Sequence, residues 1–133
     1  MVIGADTGFL LEYSKRNPRA VAYWDAAKNG EHYLMISVLS IAEYLVYHIQ
    51  RATLEIAEQF VQSIQATPNM EIVPLELDIA TLSARYRAGM NLATVDSLIL
   101  ATFITNDCDL LLTTDSDMTT SSIQNLIAVE QLV

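Results

Sequence analysis

Apolar positions along the chain fall into short continuous runs separated by longer stretches with helical periodicity. The first run, Val2, Ile3 and Ala5, stops at Asp6; after Gly8, Phe9, Leu10 and Leu11 open the apolar face of a helix. Asn17-Pro18 reads as an N-cap with proline at the first helical position, and Val21, Trp24 and Ala27 keep helical spacing until Asn29-Gly30 ends the segment. Residues 33–38 form a second buried run. Two helices follow over 39–50 and 52–66, the second with Leu54, Ala57, Val61 and Ile64 on one stripe. Thr67-Pro68-Asn69 breaks that helix, and 71–74 is a brief strand closed by Pro74. The pattern then predicts a helix over 78–87 stopped at Gly89, and a strongly apolar helix over 94–104. A buried strand over 109–113, a polar loop or turn over 115–122 and a last strand over 127–130 complete the chain.

Short, continuously apolar strands alternating with helices belong to parallel sheets covered on both faces. The expected architecture is a three-layer α/β fold, a twisted parallel sheet of four or five strands flanked by helices, built as one domain over residues 1–133. Composition adds limits. The 133 residues are 52% hydrophobic and only 17% charged, below the roughly 25% of an average chain, so extra surface is expected to be buried. A net charge of −9 with seven Lys plus Arg excludes a basic tail that gathers nucleic acid nonspecifically. Cys108 is the one cysteine, which excludes an internal disulfide and favours a reducing, cytoplasmic setting; it reads as a small apolar side chain rather than a nucleophile. No signal-peptide pattern and no apolar run near the ~18–20 residues of a bilayer span occur, so no membrane partner is expected.

Four carboxylates stand in or beside apolar segments: Asp6 after the first strand, Glu43 in the helix after the second, Asp96 in the first turn of the apolar helix, and Asp115 after the fourth strand. In a parallel sheet, strand ends and the helix starts that follow lie on one edge, so the four can converge there. Oxygen donors without His or Cys suit hard cations, Mg²⁺ or Mn²⁺, and these assist phosphodiester hydrolysis. Each acid also has a plainer reading. Asp6 can N-cap the helix that follows it. Glu43 completes a capping box if Ser40 starts its helix, but lies deeper beside Ile41 and Leu45 if Ser37 does. Asp96 can complement the helix dipole, and Asp115 and Asp117 can be turn residues. Four such coincidences on one sheet edge are less economical than one site.

The segments Ala5-Asp6-Thr7, ISVLSIAE ending at Glu43, TVDSLILAT around Asp96 and LLLTTDSDM around Asp115, in this order and over nearly the whole chain, resemble the PIN-domain family, in particular its small VapC-type ribonuclease toxins. The resemblance implies a Mg²⁺ or Mn²⁺ site with the family's acids at Asp6, Glu43, Asp96 and Asp115, a further acid at Asp117, and support from Thr7 and Thr113. It implies RNA cleavage leaving a 5′-phosphate and a 3′-hydroxyl, a homodimer, and a cognate antitoxin. Thr114 and Met118 stand where the family usually has a basic and an aromatic residue.

Asp6, Asp96 and Asp115 are expected to hold the metal, with Glu43 as a ligand or as the group orienting the attacking water. Lys15, Arg16, Arg19, Arg85 and Arg87 can border the groove and hold the RNA backbone, or simply be solvated helix ends. Tyr13, Tyr23, Trp24, Tyr44 and Tyr47 can fill the core or meet another subunit. Two rival readings exist. Asp6-Thr7-Gly8 is also the DTG of an aspartic protease, which needs two such aspartates in a β-rich frame. A PIN fold kept for binding, with metal but little cleavage, would suit the acidic surface.

Overall fold

A computed structural model describes all residues, 1–133. Five strands form one sheet: β1 (Val2–Ala5), β2 (Tyr33–Ser37), β3 (Met70–Val73), β4 (Leu110–Thr113) and β5 (Ala128–Gln131), in the order β3-β2-β1-β4-β5. All four pairings are parallel. The helices are α1 (Thr7–Ser14), α2 (Pro18–Lys28), α3 (Val38–Ile49), α4 (Leu54–Ala66), α5 (Leu77–Met90), α6 (Thr94–Thr105) and the single turn α7 (Ser121–Gln124).

Because side chains alternate across each strand, the sheet serves two cores. Ile3, Ala5, Leu34, Ile36, Leu110 and Leu112 face the layer of α1–α4, where Phe9, Leu10, Trp24, Tyr44 and Ile64 cover them. Leu111, from the other face of β4, packs with Leu100 and Phe103 of α6, Met118, and Ile123 of α7. The path from β3 to β4 passes over β2 and β1, so a right-handed connection must put α5 and α6 on the opposite face from α1–α4. Gly4 makes the second face possible: a Cβ there would lie 2.4 Å from Cγ of the buried Phe103. The three layers and the parallel sheet match the reading of the sequence. An aspartic-protease frame is excluded, since the sheet is wholly parallel and helices cover both sides.

Several local expectations are corrected. Gly89 does not stop α5; the helix runs on to Met90 and ends where Asn91 takes a left-handed conformation (φ 54°). Of the loop or turn expected over 115–122, the structure forms a 3-10 turn (Ser116–Thr119) followed by the single helical turn α7. Asp115 and Thr120 cap these turns with side-chain acceptors, which explains the density of small polar residues there. Gly8, whose flexibility suggests a break before Phe9, instead lies in the first turn of α1, where a Cβ would come 2.0 Å from Oγ1 of Thr114. The aromatic residues of the early helices mostly fill core. Tyr13 stacks on Trp24 with ring centroids 4.4 Å apart, and Phe60 stacks on Trp24 at 5.2 Å. Tyr44 is buried against Phe60. Cys108 is half-buried beside Met35, and burial pushes its thiol up to about 12, leaving no reactive thiolate. No helix is long and apolar enough to cross a membrane.

Candidate active site

The strand order reverses direction between β1 and β4, and the carboxyl ends of those strands flank the crevice where open α/β sheets place ligands. Asp6 follows β1 directly. Its backbone N–H still donates to the Leu112 carbonyl of β4 at 3.1 Å, which fixes the carboxylate at the seam. Asp6 is 8% exposed. Its Oδ1 accepts from the Phe9 N–H at 3.2 Å, so the capping role holds, while Oδ2 accepts from the Thr113 hydroxyl at 2.5 Å. The same Thr113 hydroxyl accepts from the Asp115 N–H at 3.0 Å, and Asp115 Oδ1 accepts from the Asp117 N–H at 2.9 Å. One buried threonine thus ties the acids of two strands together.

Burial is the main cause that lifts the Asp6 carboxyl to about 6; hydrogen bonds from Thr113, Phe9 and Gly8 oppose it, and the Asp115 charge adds to it. Asp96, in the first turn of α6, is half-buried and also raised, first by desolvation and then by the charges of Asp115, Glu43 and Asp117. Those mutual repulsions bring Asp6, Glu43, Asp96, Asp115 and Asp117 into one electrostatic neighbourhood.

Ser37 caps α3 by accepting from the Leu39 N–H at 3.2 Å, which decides between the two starts considered above. Glu43 then lies in the second turn of the helix, but it is exposed rather than buried beside Ile41. The Thr7 hydroxyl donates to Glu43 Oε1 at 2.7 Å and holds it over the start of α1. Asp96 and Asp117 line one depression of about 200 Å³, with Asn91 and Thr120 on its rim. No three Asp, Glu, His or Cys side chains form a ready-made cage around one cation; the acids share a field more than a coordination sphere.

The basic residues are dispersed. Lys15 pairs with Glu12 at 3.4 Å; Arg19 pairs with Glu130 at 3.3 Å and donates to the Gln131 carbonyl. Arg87 donates to the Leu92 carbonyl, bracing the α5–α6 turn. Arg85 lies on the exposed side of α5 beside Leu77 and Leu82, and Arg16 follows α1 with a positive φ of 64°. These contacts engage Lys15, Arg19 and Arg87 within the protein itself. Arg51, outside the five basic residues expected from the sequence, follows the α3 C-cap Gln50 and lines one depression with Glu43 and Tyr47; the spacing 43, 47, 51 carried that signal.

Residues 4–121 match the family described as the PIN domain, and the chain belongs to that family. PIN domains are nucleases, hydrolases that generally use divalent metal ions. Solved structures with the same fold include VapBC2 from Rickettsia felis bound to a DNA fragment from their promoter (TM-score 0.78, 18% identity, 98% of each chain covered). A toxin–antitoxin complex from Klebsiella pneumoniae is similar (TM-score 0.75, 19% identity, 98% of each chain covered). So is FitAcB from Neisseria gonorrhoeae (TM-score 0.73, 21% identity, 99% of this chain and 98% of that one). No curated protein matches the sequence.

Proposed function

We propose that this protein is a divalent-metal-dependent endoribonuclease and the toxin of a toxin–antitoxin pair. The observation that carries the reading is the linkage of Asp6 to Asp115 through Thr113 at the β1/β4 seam, with Asp96 in the field of Asp115, Glu43 and Asp117. The donor set fits Mg²⁺ or Mn²⁺. It is oxygen only, and two of its members, Asp6 and Asp96, are raised and so favour a neighbouring positive charge. A cation that keeps several waters needs only one or two direct carboxylates, which is compatible with acids that do not close into a cage.

Asp96 and Asp115 are the residues that would hold the ion, with Asp6 and Asp117 beside them and Glu43 at the outer side. When bound, the ion neutralises charge on the scissile phosphate and lowers the pKa of water at the site. Thr113 keeps Asp6 and Asp115 in register. Thr7 engages Oε1 of Glu43 and leaves Oε2 free to orient a water and take its proton. Attack of that water on phosphorus breaks the bond to the 3′ oxygen, which takes a proton from solvent, leaving a 5′-phosphate and a 3′-hydroxyl. The likeness to toxin–antitoxin complexes supports a cognate antitoxin partner, and the family supports a homodimer. A lone cysteine suits cytoplasmic conditions.

The test is cleavage of labelled RNA by the purified protein with and without Mn²⁺. Cleavage that survives in Asp6→Asn and Asp96→Asn would sink the reading. The binding-module reading draws on Thr114 and Met118, which stand where the resemblance implies a basic and an aromatic residue; Met118 is buried in the second core. Calorimetric binding of Mn²⁺ with RNA left intact would favour it.

A further inference from the structure

The side of α3 that carries Glu43 continues past it. Val46 and Tyr47, then Gln50 and Arg51 just past the end of the helix, follow at near-helical spacing and, with Ala42 and Glu43, line an open depression of about 410 Å³. Arg51 is the one cation in that lining. The guanidinium carbon sits 3.4 Å from the Tyr47 ring centroid, and Nη1 donates to the Tyr47 carbonyl at 3.0 Å. The stack is anchored: Tyr47 meets His48 edge-on with centroids 5.2 Å apart, and His48 meets the buried Tyr44 in the same way at 4.6 Å. His48 is held in turn by Thr53 through Nδ1 at 2.7 Å. No carboxylate pairs with Arg51; the ion pairs of this chain are Lys15–Glu12 and Arg19–Glu130. In a chain of net charge −9, an unpaired cation held over an aromatic ring in a depression that Glu43 also lines is a distinctive placement.

Single-stranded nucleic acids are gripped by this combination of a planar face for a base and a cation for the backbone. Bases stack on guanidinium planes as well as on rings, and the N–H groups in the guanidinium plane remain available for phosphate. From Glu43 to Arg51 is about 12 Å along the helix direction, so the nucleotide held here is a neighbour of the one cleaved. We propose that Tyr47 and Arg51 form a subsite for one unpaired RNA nucleotide flanking the scissile phosphate, its base on the outer plane of Arg51 and its phosphate on the guanidinium edge, with the Gln50 amide at the base edge. The identity of the polymer rests on the nuclease reading; the stacked cation does not.

Two measurements separate the claims: anisotropy of a labelled single-stranded RNA with Ca²⁺ in place of Mn²⁺, and Mn²⁺-dependent cleavage of the same RNA. Arg51→Ala and Tyr47→Ala should weaken binding roughly ten-fold, raise KM to match and leave kcat within about two-fold. Tyr47→Phe should bind like the parent, and Arg51→Lys should fall between, keeping charge without the plane. Arg51→Ala should also lower the salt dependence of binding by about one ion. Parent-like binding and KM in both alanine variants overturns the subsite, while parent cleavage keeps the nuclease reading. Binding that depends on Arg51 with no cleavage by the parent keeps the subsite and removes the nuclease. A parent that neither binds nor cleaves removes both. A change in oligomeric state by light scattering, with RNA binding intact, would make this side a subunit contact, for which Val46 (51% exposed) and Ile49 (57%) offer apolar surface, and would overturn the proposal.

Discussion

Asp6 and Glu43 carry the same charge on the same sheet edge, yet their surroundings are opposite. Asp6 is buried, each oxygen accepts from a donor of the protein, and desolvation lifts it to about 6. Glu43 is exposed and has one partner, the Thr7 hydroxyl. The inner set, Asp6–Thr113–Asp115, therefore stores unfavourable charge in a rigid frame. The outer set, Thr7–Glu43 with Asp117, is solvated and can reorient at little cost. A site divided in this way can have its cation positioned by the inner frame while the outer acid handles water.

The largest test of this division is on activity. Asp96→Asn, whose carboxylate lies in the field of both sets, should lower Mn²⁺-dependent RNA cleavage by roughly 10²–10⁴-fold with the circular dichroism spectrum unchanged. Thr113→Val comes next. It keeps the shape but leaves a buried Asp6 oxygen and the Asp115 N–H unpaired, so unfolding free energy should fall by about 1–3 kcal/mol and cleavage by roughly 10–100-fold.

The pH dependence of stability should come from the two raised acids, chiefly Asp6 of the inner set and then Asp96. The folded state holds the Asp6 proton more tightly than the unfolded chain does. The benefit is complete below the ordinary value of 3.8 and is lost as pH rises through about 6. In EDTA, urea unfolding should show a loss of about 3 kcal/mol from this group between those limits. Asp6→Asn should flatten that slope, and Mn²⁺ should restore stability at the upper end for the parent only. An unchanged slope in the variant would place the titration elsewhere. The smallest effect belongs to the outer set: Thr7→Val, breaking an exposed bond, should cost about 0.5 kcal/mol, with a measurable change in cleavage rate and none in the pH slope.

Much of the frame was legible because strong local patterns have few alternatives. The runs ending at Asp6 and Thr113 are continuously apolar and too short for anything but buried strands, and Asn17-Pro18 marked the start of α2 to the residue. Where local signals compete, the tertiary structure decided. Gly89 is a helix breaker by propensity, yet α5 packs along α6 and carries on to Met90. Ser37 and Ser40 were equal as caps until β2 ended at Ser37.

The amino-acid order alone determined the fold class, the list of acids and the edge they could reach, since period-2 and period-3.6 burial are properties of local chain geometry. It could not determine which acid is buried, which hydroxyl joins Asp6 to Asp115, or that Arg51 sits over the Tyr47 ring. Desolvation and hydrogen-bond pairing between segments some hundred residues apart exist only once the sheet has closed, and they set the chemistry of this edge.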